Sequence, residues 1–276
     1  MKISAIIPIN NGEETLGECL AALAASTRPA DEIIVVDDAS TDASGAIAQA
    51  AGVRVLTLSG AAHGPALARN QGAAAASGDV LIFLDADVAI HPETLARIEG
   101  YLQAQPQLAA LFGSYDDHPP GRELATRYKN LFHHYVHQHS AREASTFWAG
   151  CGAIRRTTFE ALRGFDESYR SASIEDIELG LRMKRAGLKI WLCQDIQVTH
   201  LKRWTFLGIL RADIFGRAVP WTRLIVREKN LPRTLNLNWT SRAGFLCCAH
   251  GIQVLRVELG DLAGGVDGLA EQGDLT

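Results

Sequence analysis

Asp85-Ala86-Asp87 follows Val80-Leu81-Ile82-Phe83-Leu84, a short apolar run that reads as a strand buried on both faces. Two carboxylates one residue apart at the C-terminal end of such a strand open into the crevice where α/β sheets bind ligands. Carboxylates suit a hard divalent cation, which in turn can hold phosphate oxygens. A solvated turn would explain an isolated Asp-x-Asp, but other polar groups share its address. Asn10 ends the first apolar run. Asp37 and Asp38 end the second, where they could accept from the N–H groups of a base or the hydroxyls of a ribose. An Asx-turn at the next helix suits Asp42 and Ser40 better than this pair. Arg69 is the only Lys or Arg between Arg54 and Arg97, on a helix otherwise built of small residues. It could bind phosphate, orient the carboxylates, or belong to a solvated face.

Further along, Gly150-Cys151-Gly152 would let a ligand approach the backbone or simply permit a tight turn. Trp148 beside it is a candidate platform for an acceptor. Glu175-Asp176 precedes Ile177, Leu179, Leu181 and Met183, so both acids fall in a helix's first turn. Complementing the helix dipole accounts for one acid; the other could deprotonate an acceptor hydroxyl. The helix N-terminus predicts a lowered pKa there, hence an ionised but modest base. His200 follows a short strand, and a lone His is ordinarily structural. His133 and His137 share a helix face at a zinc spacing. They lack the Glu of the metalloprotease pattern, and Phe132 and Tyr135 point to a packing helix.

These residues need a scaffold, and the first hundred residues describe it. Apolar runs at Ile3–Ile9, Glu32–Val36, Val53–Leu58 and Val80–Leu84 alternate with helical patterns. The helices run through Leu16, Cys19, Leu20 and Leu23, through Ala43, Ile47 and Ala50 with Ser40 or Thr41 as cap, over Pro65–Ala76, and over Pro92–Leu102. Strand, helix, strand at this spacing predicts parallel strands with right-handed crossovers. Asn10, Asp37, Asp38, Asp85 and Asp87 then converge on one sheet edge. Beyond Leu108–Phe112 the rhythm changes. A helix through Tyr128, Leu131, Phe132 and Tyr135, a strand at Ser145–Ala149, helices at Thr157–Leu162 and from Glu175, and two short strands at Lys189–Cys193 and Gln197–Thr199 are expected.

With 276 residues and 47% hydrophobic content the chain can bury one large core. Net charge is −4, which argues against a nucleic-acid partner. Residues 201–233 carry eight basic against two acidic side chains, a local +6 that leaves the remainder at −10. Five cysteines without Cys-x-x-Cys spacing suggest neither a disulfide framework nor a zinc site. The start Met1-Lys2-Ile3 leads straight into a strand, and no run of about 18 apolar residues occurs. A cytoplasmic protein is expected, peripheral at the inner face of the membrane if the basic segment docks there. In that segment aromatic and aliphatic residues from Trp204 to Trp221 alternate with Arg203, Arg211, Arg217 and Arg223, a pattern that suits an anionic interface or a packed helix with a cationic outer side.

With these residues placed, the chain resembles glycosyltransferase family 2 and its GT-A nucleotide-sugar fold, a Rossmann-like, mostly parallel sheet flanked by helices. The resemblance is carried by Ile6-Ile7-Pro8-Ile9-Asn10-Asn11, Val36-Asp37-Asp38-Ala39-Ser40-Thr41-Asp42, Ala68-Arg69-Asn70-Gln71-Gly72 and Phe83-Leu84-Asp85-Ala86-Asp87. It continues through Gly152-Ala153-Ile154-Arg155-Arg156, Gly164-Phe165-Asp166-Glu167 and Glu175-Asp176-Ile177-Glu178-Leu179. The resemblance implies a transferase domain over residues 1–200 that moves a sugar, with inversion, from a nucleoside diphosphate to a hydroxyl of a glycan or lipid-linked acceptor. Pro8, Asn10, Asp37, Asp38, Arg69 and Asp85 would line the nucleotide-sugar side. Trp148, Gly150, Gly152 and Glu175 would face the acceptor, and Asp176 would be the base. Asp87 and His200 would hold Mn2+ or Mg2+. The runs at 113–117 and 201–204 resemble a membrane-associated bacterial subgroup. Relatives commonly continue into apolar membrane helices; here His250, Arg256, Glu258 and Asp261 interrupt such a run. Residues 201–240 are expected to be a basic amphipathic element and 241–276 a partly disordered tail. Two other classes share much of this pattern. A nucleotidyltransferase would need a basic Gly-rich loop after the first strand, where Asn10-Asn11-Gly12-Glu13 stands. A silent nucleotide-sugar binding module would not need the acids at 85, 87, 175 and 176.

Overall fold

The computed structural model describes residues 1–227; the expected tail at 241–276 and the end of the basic segment lie outside them. The first strands are β1 (Ile3–Ile9), β2 (Glu32–Asp38), β3 (Arg54–Leu58) and β4 (Val80–Leu84). They are linked by α1 (Leu16–Ala24), α2 (Ser44–Ala50) and α3 (Pro65–Ala75). After them come β5 (Val88–Ile90), α4 (Thr94–Ala104), β6 (Leu108–Tyr115), α5 (Leu124–Gln138), β7 (Cys151–Arg155), α6 (Arg156–Ala161), α7 (Glu175–Arg185) and β8 (Lys189–His200). A last helical stretch comprises α8 (Phe206–Arg211), a π-helical segment (Ala212–Ala218) and α9 (Val219–Arg227).

Among the described residues one eight-stranded sheet runs in the order β3-β2-β1-β4-β7-β6-β8-β5. The half predicted to be parallel is parallel, with Ile6 opposite Ile34 on one side and Phe83 on the other. The other half is mixed. β7 lies antiparallel between β4 and β6, β6 is parallel to β8, and β5 closes the edge antiparallel to β8. Two expectations fail here. Ser145–Ala149 is not a strand; pairing begins at Cys151, opposite Leu84. Lys189–Cys193 and Gln197–Thr199 are one continuous strand, whose register shifts against β6 near Phe112 and Ser114 absorb the polar interruption. The start of α2 also differs: its N-cap residue is Ala43, without a side-chain cap, and in place of Ser40 or Thr41 the preceding Asp42 carboxylate accepts from the Ser44 N–H at 3.0 Å.

Alternate residues of the central strands go to opposite faces. Ile3, Ile7 and Ile9 with Ile82 and Leu84 pack against Leu16, Leu20 and Leu23 of α1 and Leu95, Ile98 and Leu102 of α4. Ile6, Ile34, Val36, Leu81 and Phe83 pack beneath α3, with Phe159, Phe165, Leu179 and Met183. Small residues let α3 lie almost on the sheet: a Cβ at Gly72 would sit 2.4 Å from Ile6 Cγ2. That closeness carries Arg69 to the end of β4. Cys19, Cys151 and Cys193 are free and buried.

Gly180 plays the same part for α7. A Cβ there would meet the Phe147 backbone nitrogen at 2.3 Å and the Thr146 backbone at 2.6 Å, atoms that cannot swing aside. Gly180→Ala should therefore cost about 1–3 kcal/mol, read as a lower midpoint in chemical denaturation. An unchanged midpoint would show that this helix is not seated against residues 146–147.

Candidate active site

At the end of β4 the chain turns so that Asp85 N–H donates to the Gly150 carbonyl at 3.2 Å, which joins the acidic turn to the segment before β7. Arg69 crosses from α3 and grips two acids at once. Its Nη1 donates to Glu175 Oε1 and its Nη2 to Asp85 Oδ1, both at 2.7 Å. Arg69 and Glu175 are each only 4% exposed. Of the roles open to Arg69 from the sequence, orienting the carboxylates is the one its geometry shows. Glu175 is consumed by this clamp and by the Ser173 N–H at 3.0 Å.

Asp87 and His200 are brought together by β5. Val88 pairs with His200, and the Leu201 N–H donates to the Asp87 carbonyl at 2.7 Å. His200 Nε2 stands 3.6 Å from Asp87 Oδ2, outside hydrogen-bonding distance. Burial opposes ionisation of Asp87, yet His200 and Lys202 more than offset it and hold its pKa below the usual range. Beside it, burial and the Asp87 charge push Asp85 up against the pull of Arg69. Among the described residues no three metal-ligating side chains gather into a ready cage. One carboxylate and one imidazole facing each other fit a cation that takes its remaining ligands from phosphate oxygens and water.

Asp176 departs from its sequence-based expectation. A helix N-terminus should lower its pKa; instead burial, then the charge of Glu175, raises it to about 7, despite Arg69 and the N–H groups of Ala149 and Ile177. Those N–H groups donate to its two oxygens at 3.1 and 2.7 Å and fix the carboxylate in place. Enclosure outweighs the dipole because the half-buried side chain lies among other acids rather than facing open water.

On the other side, Pro8 lies at the end of β1 with Asn10 just beyond it, and Asp37 and Asp38 end β2. Asn10 Nδ2 donates to the Asp38 carbonyl at 2.6 Å. Both carboxylates are engaged within the protein. Asp37 accepts from the Ser40 N–H at 2.9 Å, the turn role assigned from sequence to its neighbours. Asp38 accepts from the N–H groups of His63 at 2.9 Å and Gly64 at 2.7 Å. Gly64 sits at φ +101°, and a Cβ there would strike Arg170. Asp38 thus holds the start of α3, the helix that carries Arg69.

Packing requires Gly150 and Gly152, and neither adopts a left-handed backbone. A Cβ on the first would lie 2.5 Å from the Trp148 ring, and on the second 2.4 Å from Phe147 and the Trp148 carbonyl. Trp148 is half-buried and meets Tyr115 edge-on at 4.7 Å. His133 and His137 lie across the Tyr115 ring at 5.7 and 6.0 Å. Tyr115 itself stacks on His200 at 4.4 Å, and Asn130 bonds the same imidazole at 2.7 Å. Neither is a candidate site residue on the sequence alone. Tyr115 could have been found as the last residue of a buried strand, whereas nothing in the sequence around Asn130 marks it.

An open α/β sheet with acids gathered at its carboxyl edge is an architecture that binds ligands in the crevice at that edge. Residues 4–163 match the family model described as Glycosyl transferase family 2, and the chain belongs to that family. It is a glycosyltransferase. Over 237 residues it is 26% identical to the O-antigen chain rhamnosyltransferase RfbN of Salmonella typhimurium, covering 80% of this chain and 74% of that protein. Over 104 residues it is 38% identical to the poly(ribitol-phosphate) beta-glucosyltransferase of Bacillus spizizenii, but spans only 16% of it. The mannosyltransferase PcManGT of Pyrobaculum calidifontis, solved with GDP-Man and Mn2+, shares the fold at TM-score 0.67 and 18% identity, covering 98% of this chain and 81% of that one.

Two outcomes follow from the clamp and the raised carboxyl. Arg69→Leu leaves Glu175 buried without its counter-charge and should cost about 3–5 kcal/mol, measurable by denaturant unfolding. Between pH 4 and 7 the folded chain keeps a proton on Asp176 that the unfolded chain has released, so this group makes stability fall as pH rises through that window. Without divalent cation, Asp176→Asn should therefore gain stability over wild type at pH 8 and little at pH 4. Equal thermal shifts at the two pH values would contradict the raised pKa.

Proposed function

We propose that the chain transfers a sugar, with inversion, from a nucleoside diphosphate donor to a hydroxyl of a cell-envelope glycan or lipid-linked acceptor. The observation that carries this is the Arg69 clamp, which joins the acids after β4 to those at the start of α7 in one crevice. Asp87 and His200 would hold a Mn2+ or Mg2+ ion, which when bound supplies positive charge against the departing diphosphate. Asp85, fixed by Arg69, faces the donor side of that pair. Asp176 would take the acceptor's proton as the acceptor oxygen attacks the anomeric carbon from the face opposite the leaving group. A pKa near 7 places this carboxylate closer to the useful range for a base than an ordinary aspartate. Pro8, Asn10, Asp37 and Asp38 would shape the nucleotide end, the two aspartates through the turn and loop they brace. Trp148 would flank the acceptor. The rhamnosyltransferase relatives support a cell-envelope acceptor.

Donor choice is open to a direct screen: UDP-, GDP- and dTDP-sugars with Mn2+, compared by thermal stabilisation, should reveal one preferred base. With that donor, Asp176→Asn should lose about 10²–10⁴-fold in transfer rate while donor affinity stays within error. Asp87→Ala should lose donor affinity together with its dependence on Mn2+. Undiminished calorimetric donor binding by Asp87→Ala would remove the cation assignment, and a product of retained anomeric configuration would remove the mechanism.

The C-terminal helices would serve the same chemistry by docking the enzyme on an anionic membrane. Trp204, Ile209, Trp221 and Leu224 are buried, while Phe206, Leu207, Leu210 and Phe215 are exposed beside Lys202, Arg203 and Arg211. Exposed Leu124, Tyr128, Phe132 and Tyr135 form a second such line on α5, which packs against α8. Basic residues near an anionic surface contribute about 1 kcal/mol each. Among the described residues no helix is long and apolar enough to cross a membrane, so contact here would be at the surface. Sedimentation with phosphatidylglycerol vesicles should exceed that with phosphatidylcholine, and Leu207→Asp with Leu210→Asp should abolish the excess; equal sedimentation with both lipids would exclude this docking.

A further inference from the structure

We infer that Asn130 is a positioning residue that fixes the tautomer of His200 and so turns its Nε2 lone pair toward Asp87. The inference rests on the reading of Asp87 and His200 as the cation's protein ligands and extends it to a residue outside that pair.

Asn130 lies on α5 and is 2% exposed. Its amide has two ends with opposite needs. Nδ2 can only donate, and it faces two groups that can only accept, the carbonyls of His200 and Lys202, each at 3.5 Å. Turning the amide over would set Oδ1 against both carbonyl oxygens. Oδ1 therefore faces the imidazole, 2.7 Å from Nδ1. An amide oxygen accepts and never donates, so Nδ1 must carry the proton. Neutral imidazole has a single N–H; Nε2 is left with its lone pair, 3.6 Å from the Asp87 carboxylate. Facing electron-pair donors repel unless a cation, or a second proton on Nε2, stands between them; the protonated ring is the state through which His200 holds the Asp87 pKa down.

The surroundings hold this arrangement. One helical turn before Asn130, Thr126 accepts from the Trp204 N–H at 2.8 Å and donates to the Trp204 carbonyl at 3.3 Å, so α5 is pinned to the segment that follows His200. Tyr115 stacks on the imidazole at 20°, which fixes the plane of the ring. Asn130 then decides which nitrogen is offered within that plane. Groups that orient a metal-bound histidine in this way are ordinarily worth 10–100-fold in metal affinity.

The test uses the full chain. In protein labelled with 15N-histidine, at pH 8 and without metal, long-range NMR correlations report the tautomer of each ring, and His200 is assigned by its loss in His200→Gln. Wild-type His200 should be the Nδ1–H form. Asn130→Leu should lose that preference and bind Mn2+, followed by electron paramagnetic resonance, about 10–100-fold more weakly. Asn130→Asp, which restores the acceptor at Nδ1 but sets its second oxygen against the His200 and Lys202 carbonyls, should recover the Nδ1–H tautomer. Wild-type His200 with its proton on Nε2 overturns the inference whether or not any variant folds, as does a folded Asn130→Leu with wild-type Mn2+ affinity. Unchanged Mn2+ affinity in both Asp87→Ala and His200→Gln is a different result, and it overturns the cation assignment itself.

Discussion

A guanidinium with almost no access to water organises this molecule. Burying Arg69 is costly unless its charge is matched, and both it and Glu175 are removed from solvent. The match comes from acids distant in the chain, one in the turn after β4 and one at the start of α7. Because the clamp reaches across the sheet edge, the acidic turn and the candidate base keep a set relation without depending on a bound ligand. The small residues of α3, the brace of Asp38 on residues 63–64, and the anchoring of Asn70 to Phe165 and Glu167 all serve to place that one side chain.

The two halves of the sheet divide the work. Parallel β3-β2-β1-β4 is the familiar crossover arrangement, and its carboxyl edge gathers Asn10, Asp37, Asp38 and Asp85. The mixed half does something the parallel half cannot. By running β7 antiparallel and closing with three-residue β5, it returns the end of β8 to the turn after β4, so that His200 faces Asp87. Tyr115, His133, His137 and Trp148 fill the space around that pair with rings. The zinc spacing of the two α5 histidines thus ends as aromatic packing.

Legibility followed the range of the interaction. The parallel strands, their helices and the acids that end them could be read from the sequence, because apolar alternation and helix signals are local and a strand's end is its own punctuation. Residues 145–155 misled, since Gly150 and Gly152 look like a loop and the preceding residues like a strand; Trp148 and Phe147 occupy the space those glycines leave open. β8 read as two pieces because a register shift against β6 is invisible without the partner strand. Asn130 gave no signal because its partner is a ring seventy residues away.

The amino-acid order alone determined the repeating α/β scaffold, the family and the placing of the acids that end the parallel strands at one sheet edge. Only the tertiary structure decided what each does. Arg69 clamps Asp85 and Glu175, Asp37 and Asp38 brace the turn and loop beside them, and Asp176 moves from a lowered to a raised pKa. The reason is electrostatic: a side chain's charge state and partners depend on which other charges and how much water lie within a few ångströms, and distant segments supply both.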